Sequence, residues 1–418
     1  MRVCLYEDGA VLDLEPLTLT RPAFALLSGC GSLADKQFHL FGATIPGAVV
    51  RPSIAPLLSE SIAVNDADWL RAGPLVLVQS RWLPLQAPPP DLSLAHLGVL
   101  DDEIVYAVLG PEQARRLHPE TLLDDLEAWR TQLPQRPAGG RMIRHLWDLV
   151  DVNAESLISD APLCESTPQA DILCIGPREN LFIAATATIE PHVVADTTHG
   201  PVIVDQAVRI SAFSRLEGPC YIGPSTQVLG AKIRSGTTLG PGCRIGGEVE
   251  ASLVQGFSNK YHDGFLGHAY VGSWVNLGAG TSNSDLRNDY GPVRVMVNGQ
   301  LTDTGRTKVG CFLGDHVKTA IGCLINTGTN VGPFAGLLPS GSLLPRYVPA
   351  FCNVVEGRLV ENTEIESLIA TARIMMSRRG RALSSAQEQL YRDLYAQTAW
   401  SRARDQHEQD RRRVRIGA

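Results

Sequence analysis

Between about residues 170 and 340, aliphatic side chains recur six positions apart, and many of them are followed by Gly. Such a period does not fit a helix, whose apolar positions recur about every 3.6 residues. It predicts a coil of short strands in which one aliphatic side chain per strand points inward and Gly, Pro, Asn or Ser turns the corner. The positions that carry the pattern are Ile210, Leu216, Ile222, Val228, Ile233, Leu239, Ile245, Val271, Leu277, Ile325, Val331 and Leu337.

Residues 1–165 show a different pattern, in which short apolar runs alternate with amphipathic ones. The runs "RVCLYE", "PLVLVQ" and "EIVYAVLG" predict strands, while "PEQARRL", "PETLLDDLEAWRTQL" and "IRHLWDLVDVNAESLISD" predict helices. This alternation is typical of an α/β domain. We therefore predict an α/β domain over 1–165 and a coil over 166–360.

The remaining segment, 361–418, has a helical period. Ser385 and Glu388 match a capping box ahead of "QLYRDLY". We therefore predict a helical tail after the coil. Its apolar face is formed by Ile365, Leu368, Ile369, Ala372, Met375 and Met376.

Length and composition limit the class of protein. A chain of 418 residues is too long for one ordinary compact core. Its hydrophobic fraction of 44% and charged fraction of 19% are ordinary values for a globular protein. No apolar run approaches the roughly 20 residues that cross a bilayer, and a net charge of −7 argues against nucleic acid as the main partner.

The compartment follows from the first residues and from the cysteines. The start, "MRVCLYEDGAVLDLEPL", carries acids where a secretory signal would have an apolar stretch. The nine cysteines are scattered singly without a Cys-x-x-Cys pair, which suits buried thiols better than disulfides or a thiolate metal site. We therefore expect a cytoplasmic protein.

One stretch, "GFSNKYHDGFLGHAYVG" at residues 256–272, breaks the six-residue rhythm with polar groups that include His262. Interruptions of a regular repeat are natural places for chemistry. Histidine is the side chain best suited to take a proton near neutral pH, for example from a primary amine that attacks a thioester. The nearby turn "LGAGT", with Gly278 and Gly280, offers a backbone N–H for the thioester oxyanion. The stretch is therefore a candidate site, and acetyl transfer from acetyl-CoA with His262 as general base would fit it.

The segment "NKYHDGFLGHAYVGSWVNLGAGT" resembles the acetyltransferase part of the bifunctional GlmU family. The runs "SDLRNDYGPVRVMVNG" and "TGRTKVGCFLGDHVKTAIG" resemble its archaeal and alternative bacterial members. This resemblance implies a left-handed parallel β-helix, assembly as a homotrimer and acetyl-CoA as co-substrate. It also implies that His262 is the catalytic base, that Asn276 contacts the sugar, and that Ala279 and Gly280 line the path of the acetyl carrier.

The sequence departs from the family motif at three positions. Phe265 stands where the motif has Tyr, Asp285 replaces an Asn, and Glu250 falls near an expected phosphate-binding Lys. These departures leave the acceptor sugar open. Further candidates for binding the substrate or the CoA phosphates are Lys260, Asp285, Arg287, Arg306, Lys308 and, on the CoA side, Lys318.

Zinc is an alternative role for the histidines of the coil. His262, His268 and His316 are spaced unlike the ligands of zinc enzymes that share this coil, and no carboxylate partner is evident from the sequence. We predict no metal there and interpret His268 and His316 as structural or CoA-facing.

Near the amino terminus, "LEPLTLTRPAFALLSG" resembles the Pro-Leu-Thr-x-x-x-Pro segment of sugar nucleotidyltransferases. The Gly-rich phosphate loop of those enzymes is missing, and "VLVQSRWLP" offers Arg81 where an acid would hold Mg²⁺. One hypothesis is that Arg21 and Arg81 contact nucleotide or sugar phosphates, with Asp8, or Asp101 and Asp102, available for Mg²⁺. The other is a degenerate domain that only folds and packs.

The resulting expectation is acetyl-CoA-dependent N-acetylation of an amino-sugar phosphate resembling glucosamine 1-phosphate. Coupled nucleotidyl transfer would give UDP-N-acetylglucosamine or a related nucleotide sugar. Two alternatives stay open: a sugar nucleotidyltransferase without acetyl transfer, and a non-catalytic trimeric scaffold that binds nucleotide sugars.

Overall fold

The computed structural model describes residues 1–164, 172–339, 341 and 344–403. It divides into two compact units. The first comprises residues 1–14, 21–26 and 31–145, and the second comprises 15–20, 27–30 and 146–418. Among the described residues, no helix is both long enough and apolar enough to span a membrane.

The first unit is built on a seven-stranded mixed sheet in the order β10-β8-β9-β6-β1-β4-β5. Its central strands are apolar runs that are buried throughout, as expected where both faces of a sheet are covered. The three predicted strands are confirmed as β1, β6 and β9. The strands are β1 (Arg2–Tyr6), β2 (Leu27–Ser28, in the second unit), β3 (Gly31–Ser32), β4 (Ile45–Val49), β5 (Ala63–Val64), β6 (Leu75–Gln79), β7 (Trp82–Leu83), β8 (His96–Leu100), β9 (Glu103–Leu109), β10 (Gln135–Pro137) and β11 (Arg141–Met142), and the helices are α1 (Leu33–Phe41), α2 (Ala67–Arg71), α3 (Pro111–Ala114) and α4 (Leu122–Trp129).

The second unit is a parallel coil with three strands per turn, typical of the left-handed β-helix. Its three faces are the sheets β12-β15-β18-β21-β24-β27, β13-β16-β19-β22-β25-β28-β32-β35-β37 and β14-β17-β20-β23-β26. Every aliphatic residue of the six-residue pattern lies in one continuous core, which confirms the predicted coil. The strands are β12 (Leu173–Ile175), β13 (Leu181–Ile183), β14 (Thr188–Ile189), β15 (Val194–Asp196), β16 (Val202–Val204), β17 (Arg209–Ile210), β18 (Arg215–Glu217), β19 (Cys220–Ile222), β20 (Gln227–Val228), β21 (Lys232–Ile233), β22 (Thr237–Leu239), β23 (Arg244–Ile245), β24 (Glu248–Glu250), β25 (Leu253–Gly256), β26 (Asn259–Lys260), β27 (Phe265–Gly267), β28 (Tyr270–Ser273), β29 (Ser282–Asn283), β30 (Arg294–Val297), β31 (Gln300–Asp303), β32 (Cys311–Leu313), β33 (Lys318–Thr319), β34 (Leu324–Ile325), β35 (Thr329–Val331), β36 (Gly336–Leu338), β37 (Tyr347–Val348), β38 (Cys352–Val355) and β39 (Arg358–Glu361).

An insertion leaves the coil after β29 and returns before β32. It carries the antiparallel hairpin β30–β31. Its neck is closed by the N–H of Val309, which donates to the carbonyl of Asp285 at 2.8 Å, and by a bridge between Leu286 and Lys308. Beyond the neck the coil resumes in register, with Tyr270 opposite Phe312.

Aromatic rings stack along one corner of the coil, where each residue has positive φ. The successive ring centroids of Phe257, Trp274, His316, Phe334 and Phe351 are 4.5, 6.5, 4.5 and 5.3 Å apart. This stack of rings, the aromatic ladder, is covered by the last of the three α-helices that the structure describes in this unit, through edge contacts from its tyrosines. These helices are α5 (Leu146–Asp160), α6 (Ile365–Ser377) and α7 (Ser385–Gln397).

The predicted tail extends to residue 418, of which the structure describes residues up to 403; this part is helical as predicted, but its capping box lies one residue earlier than predicted. The N-cap of α7 is Ser384, whose hydroxyl accepts from the N–H of Gln387, while the Gln387 side chain accepts from the N–H of Ser384. Glu388 instead pairs with Arg392 at 3.5 Å and with Arg373. A Gln at the third helical position closes the box as well as a Glu does.

The predicted boundary near residue 165 lies outside the described residues, and among these α5 and residues 15–20 belong to the unit that contains the coil. α5 belongs with the coil because the side-chain amide of Asn153 donates to Gly236 and Thr238, both at 2.9 Å. Residues 15–20 join the same unit, where the hydroxyl of Thr20 donates to Asp315 at 2.8 Å. Buried polar contacts of this kind are invisible to apolar periodicity.

Candidate functional site

The imidazole of His262 lies exposed on the turn that joins β26 to β27. Its ring contacts that of Tyr261 edge-on, with the centroids 5.1 Å apart. The turn enters β27 through Gly264, whose φ of 133° favours glycine. The predicted base is therefore presented to solvent on a short turn fixed at both ends by strands.

Lys260 holds this turn from inside the coil. Its side chain is only 3% exposed, and its ammonium donates to the carbonyls of Gly246 at 2.9 Å and His262 at 3.2 Å. Burial lowers the pKa of Lys260 to about 8. Our expectation that Lys260 binds substrate is corrected: its ammonium is buried and donates to two backbone carbonyls beneath the turn.

The substitution Lys260→Met should remove a pH dependence of stability. The folded pKa of about 8 lies below the unfolded value, about 10.4, so the unfolded chain binds more protons between these values. The free energy of unfolding of the wild type should rise with pH in this window by up to about 3 kcal/mol relative to the variant.

Urea unfolding at several pH values between 7.5 and 10 measures this difference. Lys232→Met is the matched control, because Lys232 is an exposed lysine of the same coil. Parallel pH profiles for the wild type and both variants would contradict the role given to Lys260.

Asn276 lies on the third face, one turn of the coil below the start of the His262 turn. It bridges Asn259 on one side and Lys318 on the other, and its side-chain oxygen accepts from the Asn259 amide at 3.2 Å. Arg379, just after α6, donates to the Asn259 oxygen at 2.6 Å and to the carbonyl of Gly242 at 2.9 Å. Sequence reasoning missed Arg379 because no local motif links the tail to this face.

The turn "LGAGT" offers one free amide. The N–H of Gly278 donates to the Thr319 hydroxyl at 2.8 Å, and that of Gly280 donates to the Asp263 carbonyl at 2.9 Å. The N–H of Ala279 has no hydrogen-bond partner among the described residues. Of the amides considered from the sequence, Ala279 is therefore the one available to an oxyanion, while Gly280 positions the His262 turn.

A histidine and a carboxylate meet where the insertion leaves the coil. His268, with φ of 47°, follows β27, and its Nδ1 lies 2.7 Å from Oδ2 of Asp285. Only 17% and 15% of the two side chains are exposed. The hydrogen bond from His268 is the largest of the influences that lower the pKa of Asp285, so the carboxylate is held in its charged form.

Gly267 leaves room for this pair. A Cβ at that position would lie 2.4 Å from the Phe265 ring and 2.8 Å from Oδ2 of Asp285. The Phe265 ring and the carboxylate therefore lie side by side over the same strand that follows His262.

The substitution Gly267→Ala should disturb both groups. Because a rigid ring and a fixed carboxylate must shift, we expect destabilisation of about 1–3 kcal/mol, and a loss of acetyl transfer if the site is formed here. Thermal unfolding measures the first effect. Gly291→Ala is the control, since its Cβ would meet only flexible side chains, the Asp289 carboxylate at 3.3 Å and the Arg287 guanidinium at 3.6 Å. Equal melting temperatures of the two variants would contradict the packing.

The other cationic candidates differ in availability. Arg287 pairs with Asp289 within the insertion, and Arg306 binds Asp148 at 3.3 Å and Asp151 at 2.8 Å on α5. Lys308 is exposed and contributes to lowering the pKa of Asp285. Lys318 is half-buried, and burial lowers its pKa. Glu250 lies 3.7 Å from Arg234. Lys308 is thus the cation best placed near the pair.

The remaining histidine of the coil has a structural place. His316 is 1% exposed and belongs to the aromatic ladder, and its Nε2 lies 3.2 Å from the hydroxyl of Tyr391 on α7. It therefore ties the last helix to the coil. Within the ranges that the structure describes, no group of three or more His, Cys, Asp or Glu side chains is arranged to hold a metal.

In the first unit, the expected phosphate and metal ligands are paired with each other. Arg81 is 3% exposed, and its guanidinium donates to Asp8 at 2.7 and 3.1 Å and to the carbonyl of Ile143 at 3.1 Å. This corrects our expectation that Arg81 contacts phosphates, because its guanidinium is buried and already paired, while the Asp8 side chain is 26% exposed and holds Arg81.

The other candidates of the first unit are not brought together by such a contact. Arg21 is half-buried, and its carbonyl accepts from Arg51 at 3.1 Å. Asp101 and Asp102 are exposed on the turn between β8 and β9, where Asp102 lies 3.4 Å from Arg130. Among the described residues, neither acid belongs to a group of three or more His, Cys, Asp or Glu side chains that could hold a metal.

Comparisons with known proteins agree with this two-part reading. A family model described as sugar nucleotidyl transferase matches residues 3–168. A bifunctional sugar-1-phosphate nucleotidylyltransferase/acetyltransferase of Sulfurisphaera tokodaii is 37% identical over 101 residues, which cover 24% of this chain and 25% of that protein. A bifunctional protein GlmU of Azorhizobium caulinodans is 44% identical over 101 residues, or 22% of this chain and 20% of that protein. The chain therefore spans a quarter or less of these two relatives.

Among solved structures, an N-acyltransferase of Bacillus cereus, AntD, in complex with dTDP and coenzyme A, is 15% identical. The match covers 49% of this chain and 91% of that one, with a TM-score of 0.17. A likeness at that TM-score supports no conclusion about function.

Proposed function

We propose, from the match of residues 3–168 to the sugar nucleotidyl transferase family and the similarity to bifunctional GlmU proteins, that the coil of this chain transfers the acetyl group of acetyl-CoA to the amino group of an amino-sugar phosphate. The observation that carries the proposal is the turn of His262, which exposes an imidazole while Lys260 and the Gly280 amide fix its backbone. A general base must be both positioned and open to its substrate.

In the proposed reaction, the amine attacks the thioester carbonyl while His262 accepts a proton from the nitrogen. The free N–H of Ala279 is the donor available to the developing oxyanion. The C–S bond then breaks, and the imidazolium returns its proton to the leaving thiolate. Acetyl-CoA is thus a co-substrate, and no acyl-enzyme is formed.

The sugar is proposed to lie between the His262 turn and the neck of the insertion. Asn276 would hold a sugar hydroxyl, as the family resemblance implies, and the exposed Lys308 would attract the phosphate. Lys318 and Arg287 are weaker candidates, because the first is half-buried and the second is already paired with Asp289. The proposal leaves the identity of the acceptor sugar to be found by experiment.

A homotrimer is part of the proposal. A groove between identical coils closes under cyclic symmetry and would complete a site that one coil leaves open on its outer face. Light scattering on the purified protein should give three times the chain mass. A monomer that is active in acetyl transfer would contradict this assembly.

Nucleotidyl transfer by the first unit is a second candidate, favoured by the family match over residues 3–168. Its products would be a nucleotide sugar and pyrophosphate, with Mg²⁺ as the metal such chemistry uses. The burial of Arg81 against Asp8 favours a folding role for Arg81. Pyrophosphate release from UTP and a sugar 1-phosphate, with and without Mg²⁺, tests this candidate.

The acetyl transfer is tested by incubating the full chain with acetyl-CoA and a panel of amino-sugar phosphates and amino sugars. Mass spectrometry of the products should show one added acetyl group on at least one acceptor. If no acceptor in the panel is acetylated, the proposal is overturned. That result would favour a nucleotidyltransferase without acetyl transfer or a non-catalytic scaffold.

A further inference from the structure

The pair formed by His268 and Asp285 is built into the backbone at both ends. The backbone N–H of His268 donates to the backbone carbonyl of Glu250 at 3.1 Å, and the backbone carbonyl of His268 accepts from the N–H of Gly310 at 2.8 Å. The carbonyl of Asp285 accepts from Val309 at 2.8 Å, where the insertion closes. The 2.7 Å contact between the imidazole and the carboxylate is therefore fixed by two turns of the coil and by the neck of the insertion.

One nitrogen of this imidazole remains open. Nδ1 is held by Asp285, whereas Nε2 has no hydrogen-bond partner among the described residues, and 17% of the side chain is exposed. A carboxylate at one ring nitrogen orients the ring and stabilises the charge that appears when the other nitrogen takes a proton. Asp285 therefore orients His268 so that its Nε2 can accept a proton.

The pair also borders the strand that starts at the His262 turn. The Phe265 ring and the Asp285 carboxylate both lie over Gly267, the last residue of β27. His262 precedes this strand and His268 follows it. The two histidines thus mark the two ends of one short strand on the first face of the coil.

The inference rests on the proposed acetyl transfer. That reaction includes a deprotonation of the acceptor ammonium that His262 alone does not carry out. A primary amine bound near neutral pH arrives largely as the ammonium ion, which has no lone pair to attack with. Two protons must leave the nitrogen before the amide is complete, one before the attack and one during it.

We propose that His268, oriented by Asp285, accepts the first of these protons. The ammonium N–H bond breaks and its proton moves to Nε2 of His268, which leaves the free amine. The amine attacks the thioester, His262 takes the second proton, and the thiolate receives that proton as the C–S bond breaks. The His268 imidazolium then releases its proton to water, so the balance is ammonium plus thioester giving amide, thiol and one proton.

The test is the pH dependence of kcat/KM for His268→Asn and Asp285→Asn in the full chain, with the best acceptor from the panel. Asn tolerates the positive φ at residue 268. His192→Asn is the matched control, because His192 is an exposed corner histidine of the coil with φ of 65°. All variants are first compared with the wild type by thermal unfolding.

Without the first acceptor, only the free amine reacts. The value of kcat/KM for His268→Asn and for Asp285→Asn should therefore rise about tenfold per pH unit up to the pKa of the acceptor ammonium. The kcat/KM of the wild type and of His192→Asn should change less steeply. We expect a loss of about 10- to 100-fold at pH 7 that shrinks to a few-fold at pH 9. The double variant should be no worse than either single one, because the residues act as a unit.

A loss by the same factor at every pH, or no loss, would overturn this role for the pair while leaving acetyl transfer intact. The proposed function fails in a different way, through the absence of acetylated product from the wild type itself. Folded variants with wild-type profiles would make the contact between His268 and Asp285 a purely structural one.

Discussion

Replacing His262 by alanine should lower kcat for acetyl transfer by about 10²- to 10⁴-fold, because a positioned general base is lost. The side chain is exposed on its turn, and none of the contacts that fix the turn involve the imidazole except the edge contact with Tyr261. The fold should therefore be unaffected. KM for the sugar should change little, since the proposed sugar contacts are made by other residues.

Steady-state kinetics on the wild type and His262→Ala measure this loss directly. His199→Ala is the control, as His199 is another exposed histidine of the coil, far along the chain from the interrupted stretch. A variant that keeps wild-type kcat would remove His262 from the mechanism. The pair of His268 and Asp285 would then be the first alternative for the base.

Replacing Arg81 by alanine should destabilise the first unit by about 1–3 kcal/mol. The guanidinium is buried with three hydrogen bonds, and its removal leaves the Ile143 carbonyl without this donor. Among the described residues, the Asp8 carboxylate would keep only the Gln79 amide at 2.7 Å and the Ala10 N–H at 3.1 Å. Losing a buried charged hydrogen-bond partner is costly. Hydrogen exchange followed by mass spectrometry should show faster exchange in β1 and β6.

Arg116→Ala is the control for that measurement. Arg116 lies 3.7 Å from Glu112 on an exposed surface, with both side chains more than half exposed, so its loss should cost little. Unchanged exchange in Arg81→Ala, together with lost pyrophosphate release, would return Arg81 to the phosphate-binding role considered from the sequence.

The coil was predictable because corresponding positions in its successive strands are structurally equivalent. Each strand places one aliphatic side chain in the same interior, so the period of six in the sequence is the period of the structure itself. The α/β strands of the first unit were recognisable for a related reason, as apolar runs buried on both faces.

The contacts between turns of the coil were harder to predict. His268 and Asp285 are seventeen positions apart, about one turn of the coil, yet they are polar and fall outside the aliphatic pattern. The seventeen-residue spacing between paired strands was the sequence signal from which this contact could have been predicted. It also separates Phe257 from Trp274, and Phe334 from Phe351, in the aromatic ladder.

The wrong assignments share one cause, which is burial of charged groups. Lys260 was predicted to contact substrate from its place in the interrupted stretch, and Arg81 from the resemblance to sugar nucleotidyltransferases, although charged side chains can also be buried when they are paired. Both are 3% exposed and satisfied by internal acceptors. Sequence shows that a charge is present, but only the tertiary structure shows where its hydrogen bonds go.

The most direct test of the central claim is thiol release from acetyl-CoA by the wild-type chain with glucosamine 1-phosphate, compared with glucose 1-phosphate, which lacks the amine. We predict acetyl-CoA-dependent thiol release with the amino sugar and none above background with glucose 1-phosphate. Equal release with both sugars, or none with either and with every other amino sugar tried, would contradict an amino-sugar acetyltransferase.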